Sequence, residues 1–259
     1  MGLAVGLFLW LLLMLLLERK WPRRQVADPA ILRVGVNLLL GGINWGLLQL
    51  MVPGGLILVA FFVENSLWGV WQLLSLNGIP EIIASIVILD FAIWSQHYAS
   101  HKFSWLWRIH RVHHLDICVD ASTAVRFHPA EILVSFAYKT VLVIGLGVSP
   151  IAIAGFEIIL AASAMFSHTN LRLPDSLDGI LRTIIVTPDM HRIHHSIDRL
   201  EHDSNYGFFF SFWDRAFGVY TETPKIPHSQ ILLGLDESRD AACVRNLGTL
   251  LRTPFIAKI

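Results

Sequence analysis

Residues Glu81–His101 read EIIASIVILDFAIWSQHYASH, and this stretch decides the fold. From residue 81 to residue 96 the only charges are Glu81 and Asp90, so the segment reads as a helix crossing apolar surroundings, about 24 Å long at ~1.5 Å per residue. It then runs without a break signal into His97 and His101. Four positions apart, these two side chains share one helical face. A helix that is apolar for most of its length and carries paired imidazoles at its end predicts a membrane bundle with a histidine-rich cap.

The rest of the chain agrees in composition. It has 259 residues, 54% hydrophobic and 15% charged, with Lys plus Arg equal to Asp plus Glu. That is too apolar for an ordinary soluble enzyme. A formal charge of zero lacks the basic footprint a nucleic-acid binder needs, so no nucleic-acid partner is expected. Cys118 and Cys243 form no CxxC pair and read as free thiols.

Toward the N-terminus, GLAVGLFLWLLLMLLLERKWPRR places its charges after the apolar run. That order is reversed for a cleaved leader and fits an anchor with a cytoplasmic basic flank. The segment Val34 to Val52 is long enough to cross, and Pro53, Gly54 and Gly55 punctuate its end. Leu56 to Leu76 carries Glu64, Asn65 and Gln72. If Arg19, Lys20, Arg23 and Arg24 share a face with Lys102, Arg108 and Arg111, an even number of crossings separates the two sets. The economical solution lets 34–52 and 81–96 cross while 56–76 is interfacial or re-entrant; the alternative is a full crossing by 56–76 with one neighbouring segment re-entrant instead.

Toward the C-terminus, Ile132 to Val148 and Ile151 to Phe166 flank GLGVSP, whose Gly147 and Pro150 supply turn chemistry. A hairpin there returns the chain to the histidine side. No convincing crossing follows Asp175, so the last third is expected to form the cap. The expected fold is all-α, an integral membrane bundle of about four to five membrane helices beneath a cytoplasmic histidine-rich helical cap.

Eleven of the twelve histidines lie between His97 and His202. HRVHH sets His110, His113 and His114 on one side of a helix, and HRIHH repeats the arrangement with His191, His194 and His195. With His97 and His101 these make a first set of ligands for two metal ions, because imidazole is a common donor and each ion takes four to six. His168, at the mouth of the hairpin, adds a ninth donor. His128 and His202 are further ligand or supporting candidates, while His228 reads as a surface-loop residue.

Carboxylates that accept an imidazole N–H fix the ligand tautomer. Asp90, Asp116, Asp120, Asp189, Asp198 and Asp203 are near enough in sequence, and Asp189 and Asp203 rank first. Arg111 and Arg192 follow the leading histidine of each triplet. Directed inward they would oppose metal binding, so pairing with acids or lipid headgroups is expected.

Taken in order, HYASH, HRVHH, FSHTN, HRIHH and NYGFFFSFWDRAFGVY resemble the fatty acid hydroxylase and sterol desaturase superfamily, over about residues 80–222. The resemblance matches the family's ligands to His97, His101, His110, His113, His114, His168, His191, His194 and His195. It also marks His128, His202 and Asn205 as part of the site region. It implies a diiron centre, O2 as co-substrate and oxidation of a lipid C–H bond, with hydroxylation first and desaturation as the alternative. Residues 1–259 are read as one membrane oxidase domain.

No Rossmann fingerprint or HPGG stretch is present, so a separate electron-transfer protein or small reductant is the expected electron donor. Lys102, Arg108 and Arg126 are candidates for docking an acidic carrier. A hydrophobic substrate is expected to enter from the bilayer, with Trp68, Trp71, Phe127, Phe136, Phe166 and Phe208 to Phe210 as candidate lining. A zinc hydrolase and a metal transporter are the competing classes. The former needs neither O2 nor reductant, and the latter would string its histidines along a transmembrane path.

Overall fold

The computed structural model describes residues 2–26, 30–64, 66, 69–236 and 240–256, and the elements found in them are helical. Trp68 lies outside the described residues. Among the described residues, four helical runs are long and apolar enough to cross a membrane: Ile31–Glu64, Gly78–Lys102, Pro129–Leu146 and Pro150–His168. The fold class is therefore the one expected, an all-helical membrane-type bundle.

The run Ile31–Glu64 is two helices. Helix α2 (Ala30–Met51) ends before Gly54 and Gly55, whose φ angles of 87° and 58° belong to the left-handed region that glycine tolerates. Helix α3 (Gly55–Glu64) then has ten residues, about 15 Å, half the ~30 Å of a hydrocarbon core. Short α4 (Val70–Leu73) follows, where Trp71 Nε1 donates to Ser85 Oγ at 2.9 Å and Gln72 Nε2 donates to the Gly147 carbonyl at 3.0 Å. Helices α3 and α4 thus stay at the end of the bundle away from the histidines, packed through Leu56, Ala60 and Trp71 on Val143, Val148 and Phe156.

Helix α5 (Gly78–Lys102) runs its 25 residues from that end to the histidines. Its buried Glu81 accepts from Ser85 Oγ, Ser149 N and Ser149 Oγ at 2.8–3.0 Å, which binds its base to the α7–α8 turn. Helix α6 (Ser104–His114) begins after an extended Phe103. Helix α7 (Pro129–Leu146) opens with Pro129 behind the His128 cap and closes at Gly147, φ 76°. The left-handed φ favours glycine here, and a Cβ on Gly147 would also displace the Gln72 side chain that bonds this turn. Helix α8 (Pro150–His168) opens with Ser149 Oγ accepting from Ala152 N–H.

Helix α1 (Gly2–Lys20) lies along α8, with Trp10 Nε1 donating to the Ala162 carbonyl. Its Glu18 accepts from the backbone N–H groups of Ala121 and Asn170. The basic flank after α1 is therefore at the histidine end, which is what the parity of crossings required.

The cap comprises α6, the 3-10 turn Ala121–Val125, α9 (Asp175–Leu181), α10 (Pro188–His194), α11 (Arg199–His202), α12 (Phe212–Ala216), α13 (Ala241–Val244) and α14 (Leu247–Arg252). Buried charges fasten it to the bundle. Arg33 of α2 pairs with Asp120 and reaches Asp116. Arg126, fully buried, donates to the carbonyls of Val112 and Val244 and to Asn37 Oδ1. Arg126 is thus an internal pin and presents no charge to an electron carrier, whereas Arg108 is exposed.

Candidate metal centre

Four elements bring the histidines together. The end of α5 supplies His97 and His101, α6 supplies His110, His113 and His114, the last residue of α8 is His168, and α10 with the residue after it supplies His191, His194 and His195. Two sets form: His97, His101, His110, His114 and His194 in one, and His113, His168, His191 and His195 in the other. Within each set the donor atoms lie within 4.8 Å of one another.

The orientation of several rings is fixed from behind. His97 Nδ1 lies 2.8 Å from the Tyr206 carbonyl, His194 Nδ1 2.7 Å from the Ser204 carbonyl and His168 Nδ1 2.6 Å from the Ala164 carbonyl. A carbonyl only accepts, so in each ring Nδ1 carries the proton and Nε2 keeps its lone pair. His110 Nδ1 lies 2.6 Å from Glu131 Oε1, an equivalent carboxylate support.

The inward nitrogens find no donors of their own. Nε2 of His97 and His194 and both nitrogens of His101 and His195 are buried without a hydrogen-bond partner. His168 Nε2 faces His113 Nε2 and His191 Nε2 at 3.0 Å each. Buried lone pairs crowded this closely are costly alone and are satisfied together by cations placed among them. The donor set therefore fits two metal ions.

Burial, followed by the charge of neighbouring imidazoles, holds His113, His114, His191, His194 and His195 well below the ordinary histidine value. The rings are thus neutral at physiological pH, the state that ligates metal.

The family model for fatty acid hydroxylase matches residues 82–219, more than half of the chain and all nine histidines of the two donor sets. The chain belongs to the fatty acid hydroxylase family. An ornithine lipid hydroxylase, OlsE, of Rhizobium tropici is 28% identical over 56% of this chain and 43% of its own length. An alkylglycerol monooxygenase of Caenorhabditis elegans is 26% identical over 73% of this chain and 37% of its own. A very-long-chain aldehyde decarbonylase, GL1-4, of Oryza sativa subsp. indica is 28% identical over 62% and 27%. The chain thus spans less than half the length of these curated relatives. No solved structure matches it.

In this fatty acid hydroxylase family member the remaining site candidates separate. His202 and Asp203 adjoin His101 in a third, smaller set, and Asp203 also pairs with Lys102 at 3.0 Å. His128 stands outside all three sets: its Nδ1 caps α7 at Ala130 N and its Nε2 lies 3.2 Å from the Leu251 carbonyl. Asp189 joins Arg23 and Arg192, and its imidazole neighbour is His228 at 3.6 Å. Asn205, at φ 55°, donates to the carbonyls of Met190 and Thr221 and so holds the loop against α10.

Among the six aspartates singled out, Asp203 is the one in ion-pair range of a clustered imidazole, 3.6 Å from His101 Nδ1. Arg192 turns to Asp189, the pairing with an acid expected of it, and so stays out of the histidine sets. Arg111 reaches the carbonyls of Thr253 and Ile256 and ties down the last helical turn.

Glu131 and the carbonyls of Tyr206, Ser204 and Ala164 were not foreseen. The glutamate stands three residues after His128 in RFHPAE, where the helix start at Pro129 turns it to α6. Carbonyls leave no mark in a sequence. Asp214 holds the Tyr206 segment in place, accepting from Trp94 Nε1 and from the N–H groups of Tyr206 and Gly207 at 2.8–3.0 Å. Burial, partly offset by these three donors, raises its carboxyl to about 6. Asp214→Ala strands three buried donors and is expected to cost about 3 kcal/mol or more, read as a lowered thermal midpoint of the purified protein. An unchanged midpoint would contradict the role.

A cavity of about 620 Å³ opens beneath the histidines, bordered by His97, His110, Phe127, Ile93, Leu160 and Phe208 and by Leu7 of α1. Its α2 wall includes Leu38 and Trp45, which are 40% and 68% exposed on the flank of the bundle. Of the aromatics expected to line it, Phe127 and Phe208 do so, whereas Trp71, Phe136 and Phe166 pack in apolar clusters.

Proposed function

We propose that this protein hydroxylates a C–H bond of a membrane lipid with O2 at two iron ions held by the histidine sets. The observation that carries the reading is two adjacent groups of buried imidazoles at the head of an apolar cavity. One ion would be held by His97, His101, His110, His114 and His194, the other by His113, His168, His191 and His195. Bound iron supplies the redox electrons and open coordination positions that O2 activation needs. The family and the names of the relatives, two of which state a lipid-type hydroxylase or monooxygenase, support the same class.

The chain's own groups do the remaining work. The carbonyls of Tyr206, Ser204 and Ala164 keep each supported ring in the ligating tautomer, and Glu131 does so for His110. The cavity wall keeps water from the reacting carbon and holds the alkyl chain by apolar contact. Converting C–H to C–OH with O2 also releases water and consumes two electrons and two protons. A separate electron-transfer protein or small reductant provides the electrons, docking on the exposed cap that includes Arg108. We place that cap on the cytoplasmic side, from the basic residues around it, and treat residues 1–259 as one membrane oxidase domain.

Membranes containing the full chain, given O2, a reductant and extracted lipids, are expected to yield a product heavier by one oxygen. Iron chelation should abolish it and iron should restore it. A product lighter by two hydrogens would replace hydroxylation with desaturation. Turnover without O2 or reductant would overturn the reading in favour of hydrolysis.

A further inference from the structure

Most of the cavity wall is apolar; besides Asn44 of α2, Gln96 and Ser100 of α5 and the histidines His97 and His110, its polar groups form one strip. Glu131, Ser135 and Lys139 recur at every fourth position of α7, so they share a face, and all three border the cavity. Glu157 of α8 also borders it, with its Oε1 3.8 Å from Lys139 Nζ. Neither group has another ion pair among the described residues. Both lie well inside helices that are long and apolar enough to span a membrane, where an ionisable pair is costly and marks a site.

The separation matters. At 3.8 Å the two ions attract without a direct hydrogen bond, so the ammonium protons and the carboxylate lone pairs keep capacity for a third group. The pair is neutral overall. A carboxylate guest would be drawn by Lys139 and repelled by Glu157, whereas a hydroxyl accepts from one and donates to the other.

Depth fixes where on a chain that hydroxyl sits. Lys139 is eight residues along α7 from Glu131, about 12 Å, and Glu157 is eleven residues along α8 from His168, about 16 Å. With C–C bonds of ~1.5 Å in a zigzag that advances about 1.3 Å per carbon, these spans correspond to about nine to thirteen carbons. Resting on the lipid-oxidation reading above, we propose that the preferred substrate carries an internal hydroxyl about nine to thirteen carbons from the carbon placed at the histidines, and that Lys139 and Glu157 bind it.

The test uses the full chain in lipid nanodiscs and equilibrium binding of two labelled probes, stearyl alcohol and its mid-chain hydroxyl derivative. The protein should bind the hydroxylated probe about tenfold more tightly, the worth of one good hydrogen bond to a charged group. Lys139→Leu with Glu157→Leu, which strands no charge, should bring the two probes to equal affinity. The exchanged pair Lys139→Glu with Glu157→Lys should keep the preference. Equal affinities in the unaltered protein, or a preference that survives the double leucine variant, would overturn the proposal and leave the pair as a pin between α7 and α8. Because binding is read without turnover, a preference found in a protein that oxidises no lipid would refute the oxidase reading alone. Lipid oxidation without the preference would refute this proposal alone.

Discussion

His194→Ala is expected to bring bound iron from about two ions per chain to one or fewer, and to cut lipid oxidation by at least ~100-fold. His194 is held by the Ser204 carbonyl at Nδ1, and its Nε2 is buried with no partner in the protein. Its ring also lies 4.5–4.7 Å from those of His97, His101 and His114. Loss of a residue that merely supports a ligand already costs 10–100-fold in affinity or activity, so loss of a direct donor should sit at or beyond that range. Elemental analysis of anaerobically purified protein, paired with product mass spectrometry, reads both effects. Full iron content with retained oxidation would remove His194 from the ligand set.

Misfolding must be distinguished from ligand loss. Metal binding contributes folding free energy, so the metal-loaded proteins should differ more in thermal midpoint than the metal-free ones. His228→Ala is the matched control, because His228 lies outside the three donor sets beside Asp189.

Acid should unfold the metal-free protein well before it protonates ordinary carboxylates. In the unfolded chain these imidazoles titrate near 6.5, while in the fold burial holds His113, His114, His191, His194 and His195 well below that. His202, mainly through burial, is pushed down to about 4. Below pH 6.5 the unfolded chain therefore binds more protons than the folded one, and stability falls as pH falls.

The stabilisation is complete above about 6.5 and lost progressively beneath it. Each tenfold difference in proton affinity is worth about 1.4 kcal/mol per group. Several such groups together rival the ~5–15 kcal/mol by which a domain is stable. Near-ultraviolet circular dichroism should collapse between about pH 6.5 and 4.5, and bound iron should leave over the same window because the ligands must be neutral. A protein whose dichroism and iron content stay flat down to pH 4.5 would refute this account.

Much of this was legible in the residues. The apolar run ending in His97 and His101 marked α5, and triplet spacing put His110, His113 and His114 on one face. Gly147 and Pro150 marked the α7–α8 turn, and Pro53 to Gly55 the end of α2. What escaped was set by tertiary contact. Asp189 stood near His191 in sequence but turned to Arg23 and Arg192, since i,i+3 pairing and a guanidinium from the distant N-terminal segment were closer than any imidazole. Glu131 took the supporting role because helix α7 presents it to α6. His128 spent its nitrogens on a helix start and on Leu251. Arg126 looked like a surface cation, yet carbonyls and Asn37 gave it three internal acceptors.

Helix α5 carries a consequence for the lipid environment. Its 25 residues make an unbroken rod of about 38 Å, roughly 8 Å longer than a ~30 Å hydrocarbon core. With its lower end seated by Glu81 at the α7–α8 turn, the surplus is about the last five residues, the stretch that follows His97 and includes His101. The rod acts as a ruler: it fixes the height of these two imidazoles above the bilayer floor. On the proposed lipid oxidation, bilayer thickness thereby becomes a determinant of which carbon reaches them, alongside the shape of the cavity.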